Sequence, residues 1–318
     1  MKKDTLSIIV PCYNEEDVLP ISSEQLLNTL HELIELETIN ENSKLLFVDD
    51  GSSDKTWEII SNLYNSYPKN VVGIKLSRNY GHQKALQAGM ETVADTADMI
   101  VTIDADLQDD LQAIKKMLQK FNEGNDIVYG VRENRETDTF FKRNTALGFY
   151  KMMGKLGVKL VPNHADFRLL SNRAMKAVLL FKEEDPFLRG IVPLVGYPST
   201  KVFYDRKKRE AGESKYPLKK MIRFATNGLT SFSLIPIKMI RNMGFLTLLI
   251  GILYIFYTFY QKYIGDSVHG WSSIIMSIWI LGGMQLVGMS ILGEYLGRVY
   301  SEVKDRPAFI IEQKLERD

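Results

Sequence analysis

The sequence predicts an α/β protein: a Rossmann-like domain with a mostly parallel sheet, then amphipathic interfacial helices and a two-helix transmembrane hairpin. Two observations carry this. The first half alternates short β-branched runs with helically spaced amphipathic stretches, as in a parallel sheet flanked by helices. Far downstream, Met243 to Tyr263 and Ser272 to Gly293 are two apolar runs without acidic side chains, with Lys262 the one basic residue in them.

The strands expected are Leu6 to Val10, Lys44 to Val48, Val71 to Lys75, Met99 to Ile103 and Asp126 to Tyr129. The first follows two lysines but is too short for a signal-peptide core and ends at Pro11. Helical spacing runs through Glu16 to Leu36, Thr56 to Tyr67, Gln83 to Asp95 and Leu111 to Asn122. Phe140 to Gly157 is aromatic and basic. Tyr216 to Arg241 mixes apolar residues with Lys219, Lys220, Arg223, Lys238 and Arg241, as an interfacial segment leading into a membrane does. At about 1.5 Å per residue, each apolar run reaches roughly 30 Å, enough to cross the hydrocarbon core. Basic residues flank the pair (Lys238 and Arg241 before; Arg298, Lys304, Arg306, Lys314 and Arg317 after), whereas the connecting loop offers only Lys262. The positive-inside rule therefore puts the large domain and both termini on the cytoplasmic side of the plasma membrane. The expected division is a catalytic domain over 1–215, a juxtamembrane segment over 216–241, two spans within 242–295 and a tail over 296–318.

With 40 basic and 39 acidic residues, the formal net charge of +1 gives no global reason to bind nucleic acid. The single cysteine, Cys12, excludes an internal disulfide framework and reads as a buried thiol.

Every polar motif follows a strand, where the chemistry of such sheets collects. The first is Pro11-Cys12-Tyr13-Asn14-Glu15-Glu16, which offers a ring for a planar base to stack on, or an ordinary helix start. The second, Val48-Asp49-Asp50-Gly51-Ser52-Ser53-Asp54, puts carboxylates at a glycine turn, either to accept hydrogen bonds from a nucleoside or to cap the next helix. The sharpest is Asp104-Ala105-Asp106 after a wholly apolar strand. Two carboxylates one residue apart can together face a hard cation, Mg2+ or Mn2+, and the phosphates that it bridges.

PCYNEE, VDDGSSDKT, SRNYGHQKAL and DADLQD occur in the order and spacing of family 2 glycosyltransferases of GT-A fold. YGVRENR, FKR, DFRLLS, FLRG and REAGESKY, followed by the amphipathic region and hairpin, resemble bactoprenol glucosyltransferases and, more distantly, dolichol-phosphate mannose synthases. The resemblance covers essentially the whole chain. It implies Pro11, Tyr13 and Glu15 around the nucleotide, Val48 and Asp50 at the base or ribose, and Asp104 and Asp106 as the metal pair with Ala105 between and Gln108 beside them. It also implies Arg132 near the phosphates, Asp166 as the acidic residue usually proposed as base with Arg168 after it, and Arg209 and Lys215 near the diphosphate and lipid phosphate. One departure is visible: the family commonly has DLQDPP, where this chain has Asp109-Asp110-Leu111.

The implied reaction is inverting transfer of a sugar, glucose foremost, from a UDP-sugar to undecaprenyl or another polyprenyl phosphate, giving a lipid-linked monosaccharide. UDP-N-acetylglucosamine and GDP-mannose are the alternative donors. The partners expected are nucleotide sugar, polyprenyl phosphate, membrane and further copies of the chain in a homo-oligomer. A processive polysaccharide synthase needs a QxxRW-type motif, which is absent. The non-enzyme alternative is a small transporter or channel subunit with a cytoplasmic regulatory domain, a membrane regulator that binds nucleotide sugar; two spans without any intramembrane ionisable residue argue against it.

Overall fold

The computed structural model describes residues 3–106, 108–133, 164–184, 186–205, 235–264 and 270–317. Those residues fall into two compact units. One holds the sheet, its helices and the C-terminal segment from Arg306; the other holds the two long helices.

The strands are β1 (Leu6–Cys12), β2 (Lys44–Asp49), β3 (Val71–Leu76), β4 (Met99–Thr102), β5 (Ile127–Arg132), β6 (His164–Ser171), β7 (Ser199–Tyr204) and β8 (Ile311–Leu315). They form one eight-stranded sheet in the order β7-β5-β6-β4-β1-β2-β3-β8. β1 pairs in parallel with β2 and β4, and β2 with β3, as the alternating pattern requires. The five expected strands are all present within a few residues of their expected ends. β6 runs antiparallel between β4 and β5, and β8 runs antiparallel on the outer edge of β3.

The crossover helices are α1 (Leu19–Glu35), α2 (Thr56–Ser66), α3 (His82–Val93) and α4 (Gln112–Asn122); α5 (Asn172–Leu179) and α6 (Leu188–Leu194) follow β6. Each buries one stripe. In α1 it is Leu26, Leu27, Leu30 and Leu33, and in α4 Ala113, Ile114, Met117 and Leu118, both at helical spacing. Because side chains alternate along a strand, one sheet face presents Ile8, Val10, Phe47, Val101, Phe167 and Leu169 to a single apolar core with α1 and α4. The other face receives α3 at very close range: a Cβ on Gly89 would lie 2.4 Å from Ile9 Cγ2 and 3.2 Å from Val48 Cγ2. Only glycine lets the helix settle that low. Cys12 is buried, as its isolation in the sequence implies.

In the second unit, α7 (Ile235–Ile264) and α8 (Trp271–Val303) contain the two apolar runs, Met243 to Tyr263 and Ser272 to Gly293. Thr247 Oγ1 reaches Met284 Sδ at 3.9 Å between them. Many of their large apolar side chains are exposed, among them Phe245, Leu253, Phe256, Ile278, Leu286 and Leu296. Among the described residues no helix is long and apolar enough to cross a membrane; both runs include positions whose side chains fall outside the described set.

The start of β5 is fixed by a charge. Asp126 accepts from Ser171 Oγ at 2.7 Å and from Arg173 Nε and Nη2 at 2.6 and 2.5 Å. Its carboxyl is held below the usual range, first by the Arg173 hydrogen bonds. A depressed folded pKa means that the stabilisation is complete above the unfolded value of about 3.9 and is lost as pH falls through the folded value. Asp126→Asn is therefore expected to cost about 1–2 kcal/mol at neutral pH. The difference from the parent chain should shrink in acid, as measured by denaturant unfolding from neutral pH down to about pH 3.

Candidate active site

The loops after β1, β2 and β3 are sewn to one another. Asn14, with φ of 52°, donates its amide to Ser52 Oγ at 3.0 Å and accepts from the Ser53 amide at 2.9 Å. The Glu15 amide donates to Thr56 Oγ1 at 2.9 Å, and that of Glu16 to Asp54 Oδ2 at 3.1 Å. Asp54 also accepts from the Thr56 amide at the start of α2, so the capping role and the loop role are combined in one carboxylate. Asp50, buried, accepts from the amides of Tyr80 at 2.7 Å and Gly81 at 2.9 Å. Burial raises its carboxyl despite those two donors. Between them sits Gly51 at φ of 66°, where a Cβ would lie 2.4 Å from the Arg78 carbonyl carbon. Tyr13 stands at the exposed rim and Glu15 is half-buried. Pro11 and Val48 are buried, with the Val48 side chain beneath α3.

The loop after β4 carries the acidic pair. Asp104 is partly open to solvent, and Ala105 behind it is buried. The Gln108 amide donates to Asp106 Oδ1 at 3.2 Å. His82 Nε2, at the start of α3, lies 3.6 Å from Asp104 Oδ1 and 3.4 Å from Asp166 Oδ2. Burial pushes the Asp104 carboxyl up, and the charges of Asp166 and Asp106 push in the same direction against the pull of His82. A carboxyl raised by burial and then by neighbouring anions is one whose ionised form a cation would favour. Among the described residues no cluster of three or more His, Cys, Asp and Glu side chains is built to hold a metal unaided. Two carboxylates facing solvent nevertheless fit Mg2+ or Mn2+, which take hard oxygen donors and complete their shells with water and substrate phosphate.

Asp166 is the most heavily engaged carboxylate. It lies on β6 and is buried; Arg189 Nη2 and Nε approach it at 3.0 and 3.2 Å, and Gln83 Nε2 donates to it at 3.3 Å. Arg168, fully buried two residues along the same strand face, pairs with its Oδ1. The hydroxyl of Thr102, on β4, donates to its backbone carbonyl. Burial alone would raise the Asp166 carboxyl, but Arg189, His82 and Arg168 hold it well below the usual range. The His82 imidazole is raised, the Asp166 and Asp104 carboxylates outweighing its burial. Gln83 also accepts the Leu188 amide at 3.1 Å, which fastens the start of α6 to the start of α3.

A second buried group lies beside the acidic pair. Arg132, at the end of β5, is 3.5 Å from Asp109, and its Nε donates to Tyr204 OH at 3.4 Å. The Tyr204 hydroxyl in turn donates to Asp109 Oδ1. Burial first, then the Asp104 charge, pushes the Asp109 carboxyl up to about 6. The departure from DLQDPP begins just after Asp109, which is thus built into the site.

The structure therefore brings Asp104, Asp166 and Arg168 together through His82 and Arg189, and sets Arg132 beside them. Pro11, Tyr13, Glu15, Val48 and Asp50 belong to the neighbouring knot of loops. Arg209 and Lys215 lie outside the described residues, as does most of Tyr216 to Arg241 and the whole of Phe140 to Gly157. His82, Gln83, Arg189, Asp109 and Tyr204 are additions. The first four lie within SRNYGHQKAL, FLRG and DADLQD, so the motifs themselves pointed to them; Tyr204 carries no sequence signal.

A family profile described as Glycosyl transferase family 2 matches residues 7–179. The chain belongs to glycosyltransferase family 2. Among the relatives of this glycosyltransferase, an uncharacterized glycosyltransferase of Bacillus subtilis, YkoT, is 51% identical over 96% of this chain and 91% of its own length. A bactoprenol glucosyl transferase of Shigella phage SfX is 37% identical over 97% of this chain and 99% of its own. A solved structure of glucosyl-3-phosphoglycerate synthase from Mycobacterium tuberculosis, in complex with Mn2+, UDP-glucose and phosphoglyceric acid, has a TM-score of 0.46 at 17% identity, covering 71% of this chain and 78% of that one.

Gly51→Ala tests whether the knot of loops depends on its tightest turn. Left-handed strain and the approach of Arg78 together are expected to cost about 1–3 kcal/mol. The chain should also bind nucleotide sugar more weakly, measured by thermal unfolding and by nucleotide titration.

Proposed function

We propose that this glycosyltransferase moves a sugar, glucose foremost, from a UDP-sugar to a polyprenyl phosphate at the cytoplasmic face of a membrane, with inversion at the anomeric carbon. The observation that carries this reading is the end-to-end match to a bactoprenol glucosyl transferase, which spans the two long helices as well as the catalytic sheet. A soluble acceptor would give no reason for two helices of 30 and 33 residues, about 45 and 50 Å long, with exposed apolar faces. A polyprenyl chain does not leave the bilayer at reasonable cost, so the enzyme must come to it. The two helices as a transmembrane hairpin, with the basic residues around them cytoplasmic, fit that need.

Breaking the bond from sugar C1 to the diphosphate develops negative charge on the leaving nucleotide and oxocarbenium character on the sugar. Asp104 and Asp106 are the residues that would hold a divalent cation, whose chemistry there is neutralisation of the departing diphosphate. Arg132, kept in place by Asp109 and Tyr204, supplies a fixed positive charge beside them. Asp50 and the loop amides around it orient the nucleoside.

Asp166 acts here as a positioning and electrostatic group rather than as a proton acceptor. The acceptor phosphate, with a second pKa of about 6, is already largely ionised at neutral pH and serves as its own nucleophile. A carboxylate shared by two arginines and a histidine is a weak base. Its negative charge keeps Arg189 and His82 beside the acidic pair and balances the positive character that develops on the sugar.

Membranes containing the chain, incubated with undecaprenyl phosphate and each labelled donor in turn, should yield labelled lipid with UDP-glucose and an inverted anomeric configuration. Labelled lipid from UDP-N-acetylglucosamine or GDP-mannose alone would reassign the donor; nucleotide binding without lipid product would favour the regulator reading. Asp106→Asn is expected to lower kcat by about a hundredfold or more. For Asp166→Asn the loss should be about as large and should not recover between pH 6 and 9, whereas a base needed only to deprotonate the acceptor would give full recovery above the phosphate pKa. Ending the chain after Lys215 should abolish transfer to long-chain lipid in vesicles, whereas a chain that keeps the two helices and ends at Asp305 should retain it.

A further inference from the structure

We propose that the C-terminal segment from Arg306 to Leu315 is a positioning strap for the nucleotide site: Ile310 and Gln313, seated on the edge of β3, hold the Ser77–Gly81 loop where its amides fasten Asp50. This rests on the reading of Asp50 as a nucleotide-binding residue. Within the catalytic sheet, β8 is the strand that comes from beyond the two long helices, and it lies against the strand that leads into that loop. Gly73, Ile74 and Lys75 pair with Leu315, Lys314 and Gln313 in antiparallel register, and an irregularity follows before Leu76 meets Ile311. The ladder does not stop where β3 ends. The Ser77 amide, already in the loop, donates to the Ile310 carbonyl at 3.0 Å.

From Ser77 the connection passes directly to Asp50. The Ser77 hydroxyl is 3.1 Å from Tyr80 OH, and the Arg78 guanidinium lies 4.3 Å from the centre of the Tyr80 ring. The Tyr80 and Gly81 amides then donate to the two Asp50 carboxylate oxygens. Gly81, at φ of 97°, turns the chain into α3, which opens with His82 and Gln83. The loop therefore has the strap at one end and the catalytic cluster at the other.

Side chains fix the strap along its length. Trp57 Nε1, on α2, donates to Gln313 Oε1 at 3.0 Å. Lys75 of β3 faces Glu312 of β8 at 3.5 Å, and just past β8 Glu316 faces Lys44 of β2 at 3.2 Å. Leu315 Cδ1 would lie 3.4 Å from a Cβ on Gly73, so the missing side chain leaves room for it. Arg306, Pro307, Ala308 and Ile310 meet Arg78 and Tyr80 around a cavity of about 290 Å3, so the segment before β8 also lies against the loop. A strand that served only to cover an edge would not need a lead-in segment that reaches past β3 to the loop amide and lies against the loop's side chains.

The test compares the full chain with a chain ending at Asp305 and with the double variant Trp57→Phe/Gln313→Ala. Loss of the strap should raise KM for nucleotide sugar about tenfold, the scale of one lost anchoring hydrogen bond. With it, kcat should stay within about twofold, and amide exchange in residues 77–81 should speed up about tenfold while β1 and β4 stay protected. The double variant should move KM and loop exchange in the same direction by a smaller factor, and it carries the test if the shortened chain does not fold. Unchanged KM with a protected loop would overturn the proposal. So would kcat falling together with exchange rising across the whole sheet, since that is the signature of a strand that only stabilises. If the full chain transfers no sugar, the functional reading fails on its own, and loop exchange together with UDP titration still decides whether the strap holds the site.

Discussion

A buried carboxylate, Asp166, sets the terms for the catalytic half of this protein. An anion removed from water costs several kcal/mol unless partners surround it, and here they come from β4, β6, α3 and α6. Arg168 stands two residues along the same strand and so on the same sheet face. Arg189 comes from α6, His82 and Gln83 from the start of α3, and Thr102 of β4 holds the backbone carbonyl of Asp166 itself. A shift of α3, of α6 or of β6 would remove a partner from this buried charge. The same constraint places His82 between Asp166 and Asp104, which joins the interior anion to the open acidic loop.

The sheet topology explains why the loops can meet at all. β1 lies between β2 and β4, so successive parallel strands diverge from it in opposite directions and leave a crevice at their carboxyl ends. Asp50 lies on one side of that crevice and Asp104 on the other. The outer edge at β3 is closed by β8 rather than left bare, which removes an unpaired row of amides next to a binding loop.

The parallel core was legible because its strands are wholly buried and read as continuous apolar runs, while the helices between them carry 3.6-residue stripes. β6 was not read as a strand for the opposite reason. His164-Ala165-Asp166-Phe167-Arg168 places two charges at alternate positions, which signals a solvent face until Arg168 and Asp166 are seen to neutralise each other inside. β8 was hidden by polarity as well: Glu312, Gln313 and Lys314 suit a tail, and their partners Lys75 and Trp57 stand hundreds of residues earlier. Site residues that sit within a motif were legible as types, as with Asp104, Asp106 and Asp50. Tyr204, which links Asp109 to Arg132 from a separate strand, depends on pairing that local sequence does not encode.

The acidic residues of the site divide their tasks by what already holds them. Asp50 is committed to loop amides, Asp109 to a tyrosine and an arginine, and Asp166 to two arginines, a histidine and a glutamine. The partners of each of these carboxyls come from the protein itself, so the fold fixes their geometry. Asp104 differs in exposure: its side chain stays partly open to solvent, whereas Asp50, Asp109 and Asp166 are buried. A site arranged in this way commits its buried carboxyls to geometry and leaves the Asp104 edge open to an incoming group.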